Sequence, residues 1–192
     1  TRTWTYSNYD AFGRVGTVDG PRSDVSDSVS YAYYANNGSE GTNRGMLHTV
    51  TNAAGHVTTI TSYNAHGQPL SITDPNGLVT SMAYDARQRL SSRTVGSEIT
   101  VYDYDNMGQL AKVTLPDTSY LQYTYDGAHR LVEIKDGLNN RVVYTLDSMG
   151  NRTKEEYADP SNVLARTRSR VYDALNRLQK DIGGATPTTQ IT

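Results

Sequence analysis

A short pattern, Tyr-Asp-x-x-Gly, returns along this chain at nearly constant spacing, and that period limits its fold more than any other feature. It is complete in Tyr104-Asp105-Asn106-Met107-Gly108-Gln109-Leu110 and in Tyr9-Asp10-Ala11-Phe12-Gly13-Arg14-Val15. Variants stand at Tyr63-Asn64-Ala65-His66-Gly67, Tyr84-Asp85-Ala86-Arg87-Gln88, Tyr125-Asp126-Gly127-Ala128-His129, Leu146-Asp147-Ser148-Met149-Gly150 and Tyr172-Asp173-Ala174-Leu175-Asn176. From Tyr63 onward the steps are 21, 20, 21 and 21 residues, and the last, to Tyr172, is 26. Self-similarity at roughly 20 to 50 residues marks a repeat architecture.

Each repeat of the pattern reads as a turn. Asp at the first position of a type I turn accepts hydrogen bonds from backbone ahead of it, and Gly three residues on supplies the positive φ that closes a three-residue hairpin loop with a bulge. Asn176 and His129 stand where Gly is missing and tolerate that conformation, whereas Gln88 suits it less well. A second turn signal lies midway between tips, at Asn52-Ala53-Ala54-Gly55, Asp74-Pro75-Asn76-Gly77 and Asp136-Gly137-Leu138-Asn139. One repeat is therefore two strands and two turns. In the segment before Asp85, Leu78, Thr80, Met82 and Tyr84 share one face, and Tyr102 with Tyr104, Tyr123 with Tyr125, and Tyr144 with Leu146 keep that parity. The sequence predicts an all-β chain of antiparallel hairpins with a ladder of aromatic side chains on one face.

Composition agrees with short strands and many turns rather than helices. Hydrophobic residues make up 36%, and 15 Tyr stand against one Phe and one Trp, which suits a sheet with wet faces. Residues 1–192 read as a single repeat segment, with polar, turn-rich insertions expected over residues 19–28, 36–45 and 155–167. A β-propeller competes, but its blade needs about 40 to 45 residues and four strands. The chain opens at Thr1, and Pro187 to Thr192 read as a strand cut short, as expected of a fragment of a longer protein.

A net charge of -2 supplies no basic field for nucleic acid, no run of apolar residues is long enough for a membrane span, and the absence of Cys removes disulfide and thiolate chemistry. His48, His56, His66 and His129 are scattered without metal-ligand spacing. The turn aspartates Asp10, Asp85, Asp105, Asp126, Asp147 and Asp173 have a structural use that needs no catalysis. Arg14, Arg89, Arg130 and Arg177 follow the turns and read as a solvated ladder of alternating charge. No catalytic residue, metal site or cofactor is expected, and the chain is not expected to be an enzyme. Anion or glycan binding is the alternative for that arginine stripe, and a tyrosine-lined wall is the feature a glycan-binding or cargo-holding surface would require, although cross-strand aromatic pairs also stabilise sheets.

The tandem pattern resembles the YD-repeat, or rearrangement-hotspot (RHS) repeat, family, whose unit is similar to Y-D-x-x-G-R-L-x-x-h-T-D-x-x-G-x-x-T-x-Y-x-Y-D. Tyr9 to Val15, Ser71-Ile72-Thr73-Asp74-Pro75-Asn76-Gly77 and Tyr123-Thr124-Tyr125-Asp126 carry the likeness. The repeat-motif residues are Tyr9, Asp10, Gly13, Tyr63, Asn64, Gly67, Asp74, Gly77, Tyr84, Asp85, Tyr104, Asp105, Gly108, Tyr125, Asp126, Asp147, Gly150, Tyr172 and Asp173. The resemblance implies a long antiparallel sheet wound as a spiral. In bacterial polymorphic toxins and insecticidal toxin complexes such a sheet encloses a toxic C-terminal segment, and in teneurins a related barrel belongs to an adhesion ectodomain. It further implies a secreted or cell-surface location, with flanking repeats and a C-terminal cargo as partners; separately, a cut repeat array leaves unsatisfied edge strands, so self-association through sheet edges is expected. An adhesion or carbohydrate-binding module with a glycan ligand is the alternative. The family's autoproteolytic aspartyl motif is not evident, and Asp74-Pro75-Asn76-Gly77-Leu78, which resembles a piece of it, sits at an ordinary turn phase.

Overall fold

The computed structural model describes residues 2–185; the expected strand end at Pro187 to Thr192 lies outside the described residues. Strands follow sequence order from β1 (Thr5–Ser7) through β2 (Thr17–Asp19), β3 (Val29–Tyr33), β4 (Leu47–Thr51), β5 (Val57–Tyr63), β6 (Pro69–Thr73), β7 (Val79–Tyr84) and β8 (Leu90–Val95). They continue as β9 (Glu98–Tyr104), β10 (Leu110–Thr114), β11 (Tyr120–Tyr125), β12 (Leu131–Asp136), β13 (Arg141–Leu146), β14 (Arg152–Ala158), β15 (Leu164–Tyr172) and β16 (Leu178–Ala185). The chain is all-β and antiparallel. It divides into two compact units, Thr1–Ile99 and Thr100–Thr192.

In the first unit, β5 pairs with β6 and β7 with β8, each pair closed by a Tyr-Asx tip. The register shifts just before each tip tyrosine, between Ser62 and Tyr63 and between Ala83 and Tyr84, which is the bulge that a left-handed turn residue demands. The loop expected over residues 19–28 begins after Asp19, where β2 ends, and runs to β3. Residues 36–45 hold a 3-10 turn, Gly38–Asn43, capped by Asn37, whose side chain accepts from the Ser39 backbone N–H. Tyr34 N–H donates to Met46 and Gly45 N–H to Ala35, so a longer loop, closed by Gly45 at φ 70, stands here in place of a five-residue tip.

In the second unit the same bulged tips join β9 to β10, β11 to β12, β13 to β14 and β15 to β16. One expectation fails here. Residues 155–167 form no inserted loop: β14 and β15 run through them, paired from Lys154↔Ser169 to Ala158↔Leu164, with only the Asp159-Pro160-Ser161-Asn162 turn between. The extra residues lengthen the strands. Their polarity misled because charged side chains are satisfied within the sheet, Glu155 by Arg170 at 2.6 Å and Glu156 by Lys154 at 2.8 Å. Midway turns without the Asx signal also appear, one in the first unit at Gly96 (φ 59) and one in the second at Leu115-Pro116-Asp117-Thr118, where Thr118 takes φ 70.

The strands bury little. Among the described residues Tyr63, 5% exposed, is the one buried hydrophobic side chain and Glu155, 6% exposed, the one buried charged residue. Alternation is clear in β7, where Thr80, Met82 and Tyr84 are half-buried and Val79, Ser81 and Ala83 exposed. Stability therefore rests on neighbour-to-neighbour pairing more than on a packed interior.

Candidate functional site

The repeat-motif residues occupy equivalent places in successive tips, except Asp74 and Gly77, which form the midway turn between β6 and β7. Asp85 N–H donates to Arg89 and Gln88 N–H to Asp85; Asp105 with Gln109 and Gly108, and Asp126 with Arg130 and His129, repeat the arrangement, all at 2.9–3.0 Å. The first turn side chain then closes the loop from inside. One Asp126 oxygen accepts from the Ala128 and Arg130 backbone N–H groups, each at 2.9 Å, and the other from Arg130 Nε at 2.8 Å. Asp10, Asp85 and Asp173 make the same set with Arg14, Arg89 and Arg177. Asp105 accepts from the Gln109 N–H, and Asp74, Asp147 and Asn64 accept from backbone two and four residues on. Gly13, Gly67, Gly77, Gly108 and Gly150 hold φ between 75 and 95°. Gln88 takes the same conformation at φ 65, beside His129 and Asn176 at 63.

The carboxylates are tuned by their turns. Hydrogen bonds from the Arg89 and Arg130 side chains, with backbone N–H donors behind them, hold Asp85 and Asp126 below the usual carboxylate range. For Asp10 and Asp173 the backbone N–H of Arg14 and Arg177 is the leading cause, and for Asp147 the Asn151 amide. These groups are fixed as anionic acceptors, the opposite of what a general acid requires.

Two long-range linkages were not readable from the motif. The tip tyrosines strap one hairpin to the one before. Tyr63 donates its hydroxyl to Leu47 O (2.7 Å), Tyr84 to Pro69 O (2.9 Å) and Tyr125 to Leu110 O (2.9 Å). Tyr172 reaches Arg152 O at 3.5 Å, and Tyr33 reaches Val15 O at 3.0 Å. Each acceptor stands two residues after a turn's left-handed position. Burial pushes the Tyr63, Tyr84 and Tyr125 phenols above their ordinary range. Tyr9 is exposed and Tyr104 half-buried. Second, the residue after the left-handed position reaches the following tip: Gln68 Nε2 donates to Gln88 O and Gln109 Nε2 to His129 O, both at 2.8 Å, and Arg130 Nη1 to Asp147 O at 2.9 Å. Arg14 to Gly45 O and Asn151 to the Asn176 side chain continue the series. The arginine ladder is thus engaged with turns. The only sequence signal for it is that position five of the tip is always Arg, Gln or Asn.

The histidines sit apart. His48 stacks on Tyr34 with centroids 4.2 Å apart, while His56, His66 and His129 belong to turns. Among the described residues no three His, Cys, Asp or Glu side chains come together as a metal site, and no helix is long and apolar enough to cross a membrane.

Asx-locked tips, left-handed closing residues and tyrosine straps between successive hairpins define a tandem β-hairpin repeat protein of the YD type. The chain belongs to the teneurin YD-shell family, whose model matches residues 28–155. It is 34% identical over 121 residues, 62% of its length, to double-stranded DNA deaminase toxin A of Burkholderia cenocepacia (strain H111), of which that match covers 8%. In fold it is similar to the crystal structure of TcdB2-TccC3-TEV, with a TM-score of 0.76 and 18% identity over 96% of this chain and 10% of that one. The Photorhabdus luminescens Tc holotoxin pore carrying a TccC3 mutation gives a TM-score of 0.75 at 18% identity, again over 96% and 10%. The chain therefore spans about a tenth of the length of these relatives.

Proposed function

We propose that this chain is a structural segment of the β-shell of a bacterial, secreted or surface-delivered RHS toxin-type protein, and that the complete shell encloses a cargo encoded further along the parent chain. The observation that carries the reading is the occupation of the repeated polar groups. Turn carboxylates, tip arginines and the hydroxyls of the strap tyrosines serve the sheet itself, so the repeat acts as wall and takes no part in catalysis. The toxin named among its relatives and the Tc assemblies that share its fold support that role. Flanking repeats pair with its outer strands, and any chemistry belongs to the cargo. An adhesive, sugar-binding tyrosine surface is less favoured, because the tip hydroxyls of Tyr63, Tyr84 and Tyr125 are directed at backbone carbonyls. Timed trypsin digestion of the intact parent protein tests the shell: the downstream segment should survive as long as the repeats are folded. Digestion of that segment at the rate of the same segment expressed alone would overturn the reading.

A further inference from the structure

One place in the second unit breaks the rules that the rest of the sheet obeys. Lys135 of β12 and Arg141 of β13 face each other as directly opposed partners, flanked by Gln122 and Ala158. Like charges placed opposite destabilise a sheet, and among the described residues neither has a carboxylate within ion-pair distance. Of the neighbouring acids, Asp159 accepts from the Ser161 and Val163 N–H groups through one oxygen, Glu156 holds Lys154, and Glu133 lies opposite Val143. Arg141 donates through Nη2 to the Asn162 side chain, but its Nε is shielded from solvent and has no partner. Both cations line an open cleft of about 340 Å³ between two midway turns, together with Asn139, Asp159, Ser161 and Asn162. Asn139 and Asn162 each hold φ 70.

We propose that this cleft binds an anionic sugar, its carboxylate set between Lys135 and Arg141 and its ring hydroxyls against the amides of Asn139 and Asn162 and the Ser161 hydroxyl. Two cations without an ion-pair partner, against the single carboxylate of Asp159 in the lining, leave the cleft net positive and favour an oxyanion, and a planar guanidinium suits a carboxylate in particular. The rim of amides and a hydroxyl matches a polyhydroxylated ring; an acidic peptide side chain would neutralise the cations and leave that rim unused. The site is separate from the tyrosine face, and it stands or falls independently of the shell reading.

The test is a calorimetric and amide-NMR titration of the full chain with sodium glucuronate, with glucose, acetate, sulfate and glutamate as comparison probes. Saturable glucuronate binding that shifts the Asn139 and Asn162 amides is expected, with glucose silent and the simple anions and glutamate about tenfold weaker or more. Arg141→Gln and Lys135→Gln, shown by circular dichroism to keep the sheet, should each weaken glucuronate about tenfold. Asn162→Gly, which retains the left-handed turn, should weaken it without abolishing binding. Absence of saturable binding, equal binding of acetate, sulfate or glutamate, or folded variants that bind as the parent does would each overturn the proposal.

Discussion

Thr118 offers the sharpest test of the turn argument, because a β-branched residue there occupies the left-handed slot that Gly77 fills in the equivalent midway turn. The two turns close alike: Thr118 N–H donates to Leu115 O at 2.9 Å and Gly77 N–H to Asp74 O at 3.0 Å, with φ of 70 and 83°. Thr118 is exposed, so shortening it removes little packing. A Cβ added at Gly77 would meet no atom within 4 Å, so substitution there is charged to the backbone alone. A residue with a Cβ loses roughly 1–2 kcal/mol in the left-handed region. Gly loses about 0.4–1 kcal/mol through its freer unfolded chain. The difference is about 1 kcal/mol in each direction. Thr118→Gly should therefore stabilise the chain and Gly77→Thr destabilise it by similar amounts, read as opposite shifts of the urea midpoint at constant slope. A Thr118→Gly variant with an unchanged or lowered midpoint would refute the claim that the left-handed slot, rather than the side chain in it, governs the turn.

Removing the hydroxyl that Tyr125 places 2.9 Å from Leu110 O by Tyr125→Phe should cost about 0.5–1.5 kcal/mol and speed amide exchange in β10 and β11; an unchanged exchange pattern would dismiss the strap. The folded-state carboxyls of Asp85 and Asp126 are depressed, so their contribution is present above the ordinary carboxylate range and fades as pH falls through their lowered values. Acid titration followed by circular dichroism should show stability level down to about pH 5 and falling below about pH 4, and Asp85→Asn should flatten part of that fall. The Tyr63, Tyr84 and Tyr125 phenols are raised, so their contribution is complete below the ordinary phenol value and is lost as pH climbs beyond about 10, a loss that phenolate absorbance and unfolding should report together. Among the described residues β1 pairs only with β2 and β16 only with β15, so the isolated chain should self-associate edge to edge with rising concentration; light scattering that stays monomeric to high micromolar levels would show the edges to be locally protected.

The order of strands was legible because turn chemistry is local. Asp105 and Gly108 sit three residues apart, and the hydrogen bond between them needs nothing from the rest of the chain. The same locality explains what the sequence concealed. Gln88 looks like a poor left-handed residue, yet its carbonyl accepts from Gln68, twenty residues back, and that contact comes only with the assembled tips. Thr118 was unreadable for a related reason, since ladder pairing on both sides of Leu115 and Ser119 forces a turn that its own preference opposes. Residues 155–167 were misjudged because polarity marks a loop only where charges lack partners, and Arg170 lies fifteen residues beyond Glu155. Lys135 and Arg141, by contrast, stand symmetrically about the Asp136-Gly137-Leu138-Asn139-Asn140 turn, so their opposition could have been counted from the hairpin register alone.

The scarcity of buried side chains connects the fold to the proposed role. A sheet that relied on an apolar interior would need a second layer to cover it, whereas here exposed Val79, Val101 and Leu121 alternate with half-buried neighbours along their strands. What joins repeat to repeat is instead a fixed set of polar links: the ladder, the tyrosine straps to Pro69 and Leu110, and the reach of Gln68, Gln109 and Arg130 to the following tip. Every one of these lies between neighbouring hairpins, so adding a repeat adds the same interface and asks nothing of distant repeats. A unit stabilised in that way can be multiplied until the sheet is as large as its contents require, and a packed globular core cannot. The identity of a cargo would then place no demand on the Tyr-Asp-x-x-Gly tips, which is why a single short pattern suffices along most of the chain.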